Sequence, residues 1–234
     1  MPPDLDQTAQ ERKSRPAATV VLTRLSESSS CGFEILMLQR SKVGAFAGMW
    51  VFPGGRVDDN DPGEDDISRA RSAAVREAAE EVSATIETST LTVWSHWTPP
   101  MNAPVRFTTW FFVAPWVGSE VCVDNYEIVD HAWMDPQHAL TCGIAMAPPT
   151  IVTLHELLEV GDHARIHSVR DEVPAYVTRP AVASDGSSIF LWNGDAGYES
   201  GDPDIAGPRN RLLLPEGFGG SVFQYIRSAS PKKN

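Results

Sequence analysis

An α+β fold, with a mixed sheet layered between helices, is what the order of elements predicts for these 234 residues. Strand-like runs stand on both sides of one long helical pattern, and a second helical pattern comes late instead of alternating with strands. From about Val160 the texture turns rich in strands and turns, which adds a C-terminal extension to the core. The length suits one large domain or one domain with an appended subdomain. The expected division is a flexible start (1–14), a core (15–159), an extension packing back on it (160–227) and a frayed tail (228–234).

RPAATVVLTR (15–24) and FEILMLQRS (33–41) are β-rich and separated by Ser/Gly turn residues, so they read as a hairpin. MWVFPGG (49–55) reads as a short strand stopped by Pro-Gly-Gly, followed by the polar loop RVDDNDPGEDD. Asp65 or Asp66 can cap a helix with the body ISRARSAAVREAAEEVSATI. LTVWSHW (91–97), PVRFTTWFFVAPWV (104–117) and EIVDHAWM (127–134) are strands. PQHAL and PPTIVTLHELLE open two helices with Pro near the first turn. In the extension, Asp185-Gly186 marks a hairpin and RNRLLLPEG a further strand.

The formal net charge of −12 is the wrong sign for binding a nucleic-acid polymer. No apolar run is long enough to span a membrane, and the polar start lacks the apolar core of a signal peptide. The three cysteines, Cys31, Cys122 and Cys142, are odd in number and widely spaced, which fits reduced thiols in a cytoplasm better than a zinc site. Between Arg56 and Glu87 lie ten acidic and four basic residues, half of the whole net charge. Such a segment reads either as a solvated surface or as a place for a divalent cation.

The second reading gains weight at REAAEEVSA (76–84). At about 100° per residue, with Glu77 at zero, Glu81 falls near 40° and Glu80 near −60°. Val75, Ala78, Ala79 and Val82 gather opposite, so the expectation is an apolar face on the sheet and three carboxylates pointing away from it. Arg76 stands four residues before Glu80 and can pair with it. The Gly54-Gly55 turn lies upstream, with backbone groups free to face a ligand. Oxygen ligands from two directions suit a hard cation such as Mg²⁺, which commonly bridges to phosphates.

Gly55 followed by Arg76-Glu77-x-x-Glu80-Glu81 resembles the Nudix box of the Nudix hydrolases. LQRS, SHWTPP, RFTTWFFVAPW, EIVDHAWMDPQHAL and PPTIVTLHELLE follow the order such proteins use, and NGDAGY and RNRLLL resemble the tail of the coenzyme A diphosphatase subgroup. The resemblance implies a Nudix fold, an α/β/α sandwich, and Mg²⁺- or Mn²⁺-dependent hydrolysis of a nucleoside diphosphate linked to another group. Carried over, it makes Glu77, Glu80 and Glu81 metal ligands, with the carbonyl of Gly54 or Gly55. Arg76 orients Glu80, and Glu127 is the expected general base. Arg40 has two readings, a hold on the diphosphate or a surface arginine. Trp97, with Trp110 and Phe111, either stacks on a base or belongs to the core. His96, His131 and His155 show no paired metal-ligand spacing and receive no role.

The chain also departs from the family pattern. Twenty residues separate Gly55 from Arg76, so an insertion sits in the DDNDPGEDD loop. Ser68 stands where the box has a supporting glutamate, and Glu64 is the residue expected to replace it. Ser83 stands where a glycine usually ends the helix; serine resists positive φ, which predicts a further turn of helix. Arg40-Ser41, Gly48 and Phe52-Pro53-Gly54-Gly55 match a coenzyme A signature, but Lys42 to Ala45 supply no second arginine. The expected substrate is therefore a coenzyme A-like or ADP-linked compound such as NADH, FAD or ADP-ribose. A degenerate domain that binds a nucleotide or partner without cleavage is the alternative. A homodimer is compatible with either.

Overall fold

β1 (Arg15–Leu25) forms the spine of the molecule. It pairs antiparallel with β2 (Phe33–Arg40) through a hairpin. Apolar residues lie on both faces of β1 because helices cover the sheet on both sides, which accounts for the nearly continuous run AATVVL. The coordinates are those of a computed structural model and describe residues 14–103, 105–118, 120–123, 126–214 and 223–228. The expected flexible start and frayed tail lie outside the described residues except for Ser14 and Ser228. Both of these are held, Ser14 Oγ by Thr108 Oγ1 at 2.6 Å and Ser228 N by Arg209 O at 2.7 Å.

After β3 (Trp50–Val51) the chain does not stop at Pro-Gly-Gly, as the sequence suggested. It resumes as β4 (Gly54–Arg56), paired antiparallel with β1. This short strand can form because Gly54 lies against β1 with φ 154, where a Cβ would collide with the backbone of Ala18 and Thr19. Helix α1 (Asp66–Val82) follows, then β5 (Thr92–Thr98) and β6 (Phe107–Pro115). β6 runs parallel to β1 and antiparallel to β5. β7 (Ile128–Met134) returns to pair with β2. The short α2 (Pro136–Thr141) then leads to α3 (Pro148–Val160).

Two cores sit on opposite faces of this sheet. On one, α1 lays Ala70, Ala73, Ala74, Ala78 and Val82 against Ala18, Val20, Leu22, Leu36, Leu38 and Phe112. On the other, α3 packs Ile151, Val152, Leu154 and Leu157 against Phe33, Ile35, Met37, Trp94 and Trp97. This is the expected helix–sheet–helix sandwich.

Helix α1 corrects two local expectations. Asp65 is its N-cap, in a reciprocal capping box with Ser68. Its end is Val82, because Ser83 takes the left-handed conformation after all (φ 56) and its N–H bonds back to the helix. No extra turn forms. The buried stripe is also not the one the apolar residues suggested. Ala79 is exposed and Val75 only half-buried. Ala70, Ala73, Ala74 and Ala78 fall at about 20°, −40°, 60° and 100° on the wheel that has Glu77 at zero, so Glu81 near 40° lies inside the stripe. Alanine wins over valine here because its small side chain lets the helix approach the sheet closely.

The extension begins with α4 (His163–Ile166) and adds a strand to the main sheet. β8 (Ala175–Val177) runs parallel beside β5, with Tyr176 opposite Trp97. A second, antiparallel sheet follows, made of β9 (Arg179–Val182), β10 (Ser188–Leu191), β11 (Asn210–Leu213) and β12 (Gln224–Arg227). Trp192 buries itself edge-on against both Trp97 and Tyr176. Glu156 of α3, 1% exposed, accepts from Trp94 Nε1 (2.9 Å) and Tyr176 Oη (2.6 Å) and is met by Arg227 at 3.3 Å. A buried carboxylate is tolerable only with such partners, and three of its contacts tie α3 to the main sheet and the extension. No helix among the described residues is long and apolar enough to cross a membrane.

Candidate active site

The site lies where β4, the end of β2 and the acidic side of α1 meet. The close seat of α1 brings Glu81, 6% exposed, under the glycine turn, where Gly54 N–H donates to Glu81 Oε2 at 2.9 Å. Beside it, a Cβ on Gly55 would overlap the carboxyl group of Glu77. The two glycines are thus required by the approach of two carboxylates as well as by the turn. Burial pushes the Glu81 carboxyl up to about 8, against the opposing pull of the Gly54 N–H and Arg40. Burial also raises Glu77, with Arg76 opposing. Glu80, with a side chain 60% exposed, faces outward.

Two arginines supply the countercharge. Arg76 Nη1 donates to Glu77 Oε1 at 2.9 Å and to Glu80 Oε2 at 3.2 Å. Its Nε and Nη2 grip Asp61 at 2.9 and 3.1 Å, and Nη2 also donates to Arg56 O at 2.9 Å. These bonds occupy all five guanidinium donors, so Arg76 positions Glu77 and Glu80 and keeps no donor for a substrate. Hydrogen bonds to Asp61, then to Glu77, hold Arg76 firmly protonated. At the end of β2, Arg40 Nη2 donates to Glu127 Oε2 at 2.9 Å, and Nη1 lies 3.8 Å from Glu81 Oε1. Arg40 is therefore paired between Glu127 and Glu81 and is not a free surface arginine.

Several expectations change. Glu64 is exposed and makes none of these contacts; the carboxylate that supports the box is Asp61, from the same inserted loop. Ser68 serves the helix cap, and the turn Asp58–Asp61 folds back so that Asp61 also accepts from Asp58 N at 2.7 Å. Burial raises the Asp61 carboxyl, but the hydrogen bonds from Arg76 and Asp58 outweigh it and leave the group below its ordinary value. The signal that could have revealed Asp61 was the surplus of donors on Arg76, which one glutamate four residues on cannot satisfy. Trp97 is 3% exposed and lies on the face opposite α1, stacked on Tyr176 at 4.1 Å with its Nε1 on Ser95 Oγ. It belongs to the core and presents no face to a nucleotide beside the glutamates.

The donor set fits a hard divalent cation. Three carboxylates and a glycine turn share one small region, and burial raises the cost of ionising two of them. As the side chains stand, no three acidic or histidine groups among the described residues converge on one point. Glu77 and Glu80 turn to Arg76, and Glu81 turns to Gly54 and Arg40.

The Nudix domain profile matches residues 13–153, more than half of the chain, and the chain belongs to the Nudix family. The enzyme class this defines is the Nudix pyrophosphohydrolases. Among solved structures, a Nudix hydrolase from Alicyclobacillus acidocaldarius shares the fold at TM-score 0.60 and 21% identity, covering 68% of this chain and 98% of its own. A Nudix hydrolase from Nitrosomonas europaea matches at TM-score 0.50 and 12% identity, covering 71% and 80%. The Nudix domain of NrtR from Shewanella oneidensis, solved with ADP-ribose, matches at TM-score 0.51 and 15% identity, covering 67% and 93%. No curated protein matches the chain. The coenzyme A diphosphatase subgroup is not among these relatives.

Proposed function

We propose that the protein hydrolyses the diphosphate bond of a nucleoside diphosphate linked to another group, coenzyme A-like or ADP-linked, with Mg²⁺ or Mn²⁺. The observation that carries this reading is the buried Glu81 carboxylate beneath the Gly54 N–H, with Glu77 and Glu80 beside it on one helix. Glu77, Glu80, Glu81 and the carbonyl of Gly55 would hold the ion. When bound, it neutralises the diphosphate and lowers the pKa of a water.

The chain's own groups do the rest. Arg76, fixed by Asp61, sets the directions of Glu77 and Glu80. The Gly54 N–H holds one oxygen of Glu81 and leaves the other for a ligand. Glu127, with a side chain 60% exposed, is the proposed base. It takes the proton of the attacking water as the new P–O bond forms; the bridging P–O bond breaks and the second phosphate leaves with the electron pair. Arg40, bonded to Glu127, is the proposed partner of the diphosphate oxygens, an acceptor suited to a guanidinium.

The test is incubation of the purified chain with Mn²⁺ and a panel of coenzyme A, NADH, FAD and ADP-ribose, with products separated by chromatography. Release of AMP, or of a phosphopantetheine-like product together with a nucleotide, supports the reading. Tight binding of any of these compounds with no product would instead support the degenerate, non-cleaving domain.

A further inference from the structure

We infer that Arg40 is an internal cation which a divalent ion must displace from Glu81 and Glu127, so that ion loading is the step that frees Arg40 for substrate. The inference rests on the metal-dependent reading above and adds an order of events to it.

The guanidinium spans two carboxylates that come from distant parts of the chain. Nη2 is bonded to Glu127 at 2.9 Å while Nη1 lies 3.8 Å from Glu81, too long for a hydrogen bond but close enough for charge attraction. Glu81 is buried, so a positive charge near it offsets a desolvation cost that water cannot offset. A second cation brought to the same carboxylate meets the repulsion of the guanidinium unless Arg40 swings away. The hold on Glu81 is the weaker of the two. Arg40 Nε, in addition, is buried with no acceptor among the described residues. The side chain therefore has an unmet donor in its present place, and a diphosphate oxygen is an acceptor of the right kind.

Arg76 differs in kind. All five of its donors are engaged, two of them by Asp61, and it is built to stay. Of the two arginines in the site, only Arg40 combines a loose ion pair with an unused donor.

The experiment measures Mn²⁺ affinity directly, by the electron paramagnetic resonance signal of free Mn²⁺, on the full chain without substrate. Arg40→Ala and Arg40→Gln should each bind Mn²⁺ on the order of tenfold more tightly than the wild type, the size of a typical coupling between two ligands. The same variants should bind a non-hydrolysable, methylene-bridged ADP-ribose analogue more weakly in saturating Mn²⁺. Lys42→Ala, an exposed cation two residues on, controls for net charge and should leave Mn²⁺ affinity within twofold. Arg40→Gln keeps most of the side chain's bulk and hydrogen-bonding ability, so the comparison survives if Arg40→Ala perturbs the fold. Unchanged or weaker Mn²⁺ binding in both variants overturns the exchange while leaving the hydrolase reading intact. A wild type that binds no Mn²⁺ sinks the metal reading itself, and the exchange with it.

Discussion

Gly54 and Glu81 stand 27 residues apart in sequence and are joined by one hydrogen bond of 2.9 Å, from the backbone of the glycine turn to a buried carboxylate. That bond is where the helix meets the sheet edge. It places a carboxyl group inside the alanine stripe of α1, at a cost in desolvation.

The first prediction concerns that cost. Glu81→Gln keeps an acceptor for Gly54 N–H and removes the buried charge, so without metal the variant should melt at the same temperature as the wild type or higher. Turnover should fall by about 10²-fold or more, the scale seen when a preorganised electrostatic group is removed. The melting shift on adding Mn²⁺ should shrink, since it reports affinity for the folded state. Near-native turnover with an undiminished Mn²⁺ shift would remove Glu81 from the site.

Asp61 gives a second test. Asp61→Ala leaves two Arg76 donors without a partner and should cost about 1–3 kcal/mol by chemical denaturation. Glu64→Gln, on the exposed part of the same loop, should stay within about 0.5 kcal/mol. If Glu64 mattered more than Asp61, the loop would have to be folded the other way round. Because the Asp61 carboxyl is held low, its contribution should be full above its ordinary pKa and disappear as pH falls below it.

A third prediction follows from two histidines that the sequence did not single out. His163 Nε2 and His167 Nε2 both bond Thr23 Oγ1, at 3.0 and 2.8 Å. Burial, then the charge of His163, lowers His167 to about 4. The unfolded chain therefore takes up this proton first, and stability should be lost as pH falls from about 6.5 toward that value. His167→Gln should flatten the decline of melting temperature across that window. An identical decline in the variant would assign the slope to other groups.

The fourth concerns the extension. Trp192→Ala removes a fully buried indole packed against Trp97 and Tyr176 and should cost about 3–5 kcal/mol. Deleting residues 160–234 should do more, because it takes away β8 and leaves Glu156 without Tyr176, Arg170 and Arg227. The truncated chain is expected to be insoluble; a soluble one with unchanged melting would place the extension outside the core.

Much of this was legible in the residues because it depends on neighbours in sequence. Strand runs, the Asp65 cap and the grouping of Glu77, Glu80 and Glu81 all follow from local periodicity and capping chemistry. Arg76 with Glu80 is an i,i+4 pair and needed no fold to be found.

What the tertiary structure decided is which side of each element the core would take. Alternation along β5 would put Trp94 and Trp97 on opposite faces, but the extra residue between Val93 and Ser95 turns both into one cluster. Helix periodicity could group the glutamates yet not say how deep Glu81 would sit, since that depends on alanines meeting a sheet whose position the helix does not encode. Asp61 reaches Arg76 from fifteen residues upstream, out of the loop that precedes α1, where no period applies. Local pattern thus determined the chemistry the chain carries, and long-range packing determined which of those groups are buried, paired or left facing a ligand.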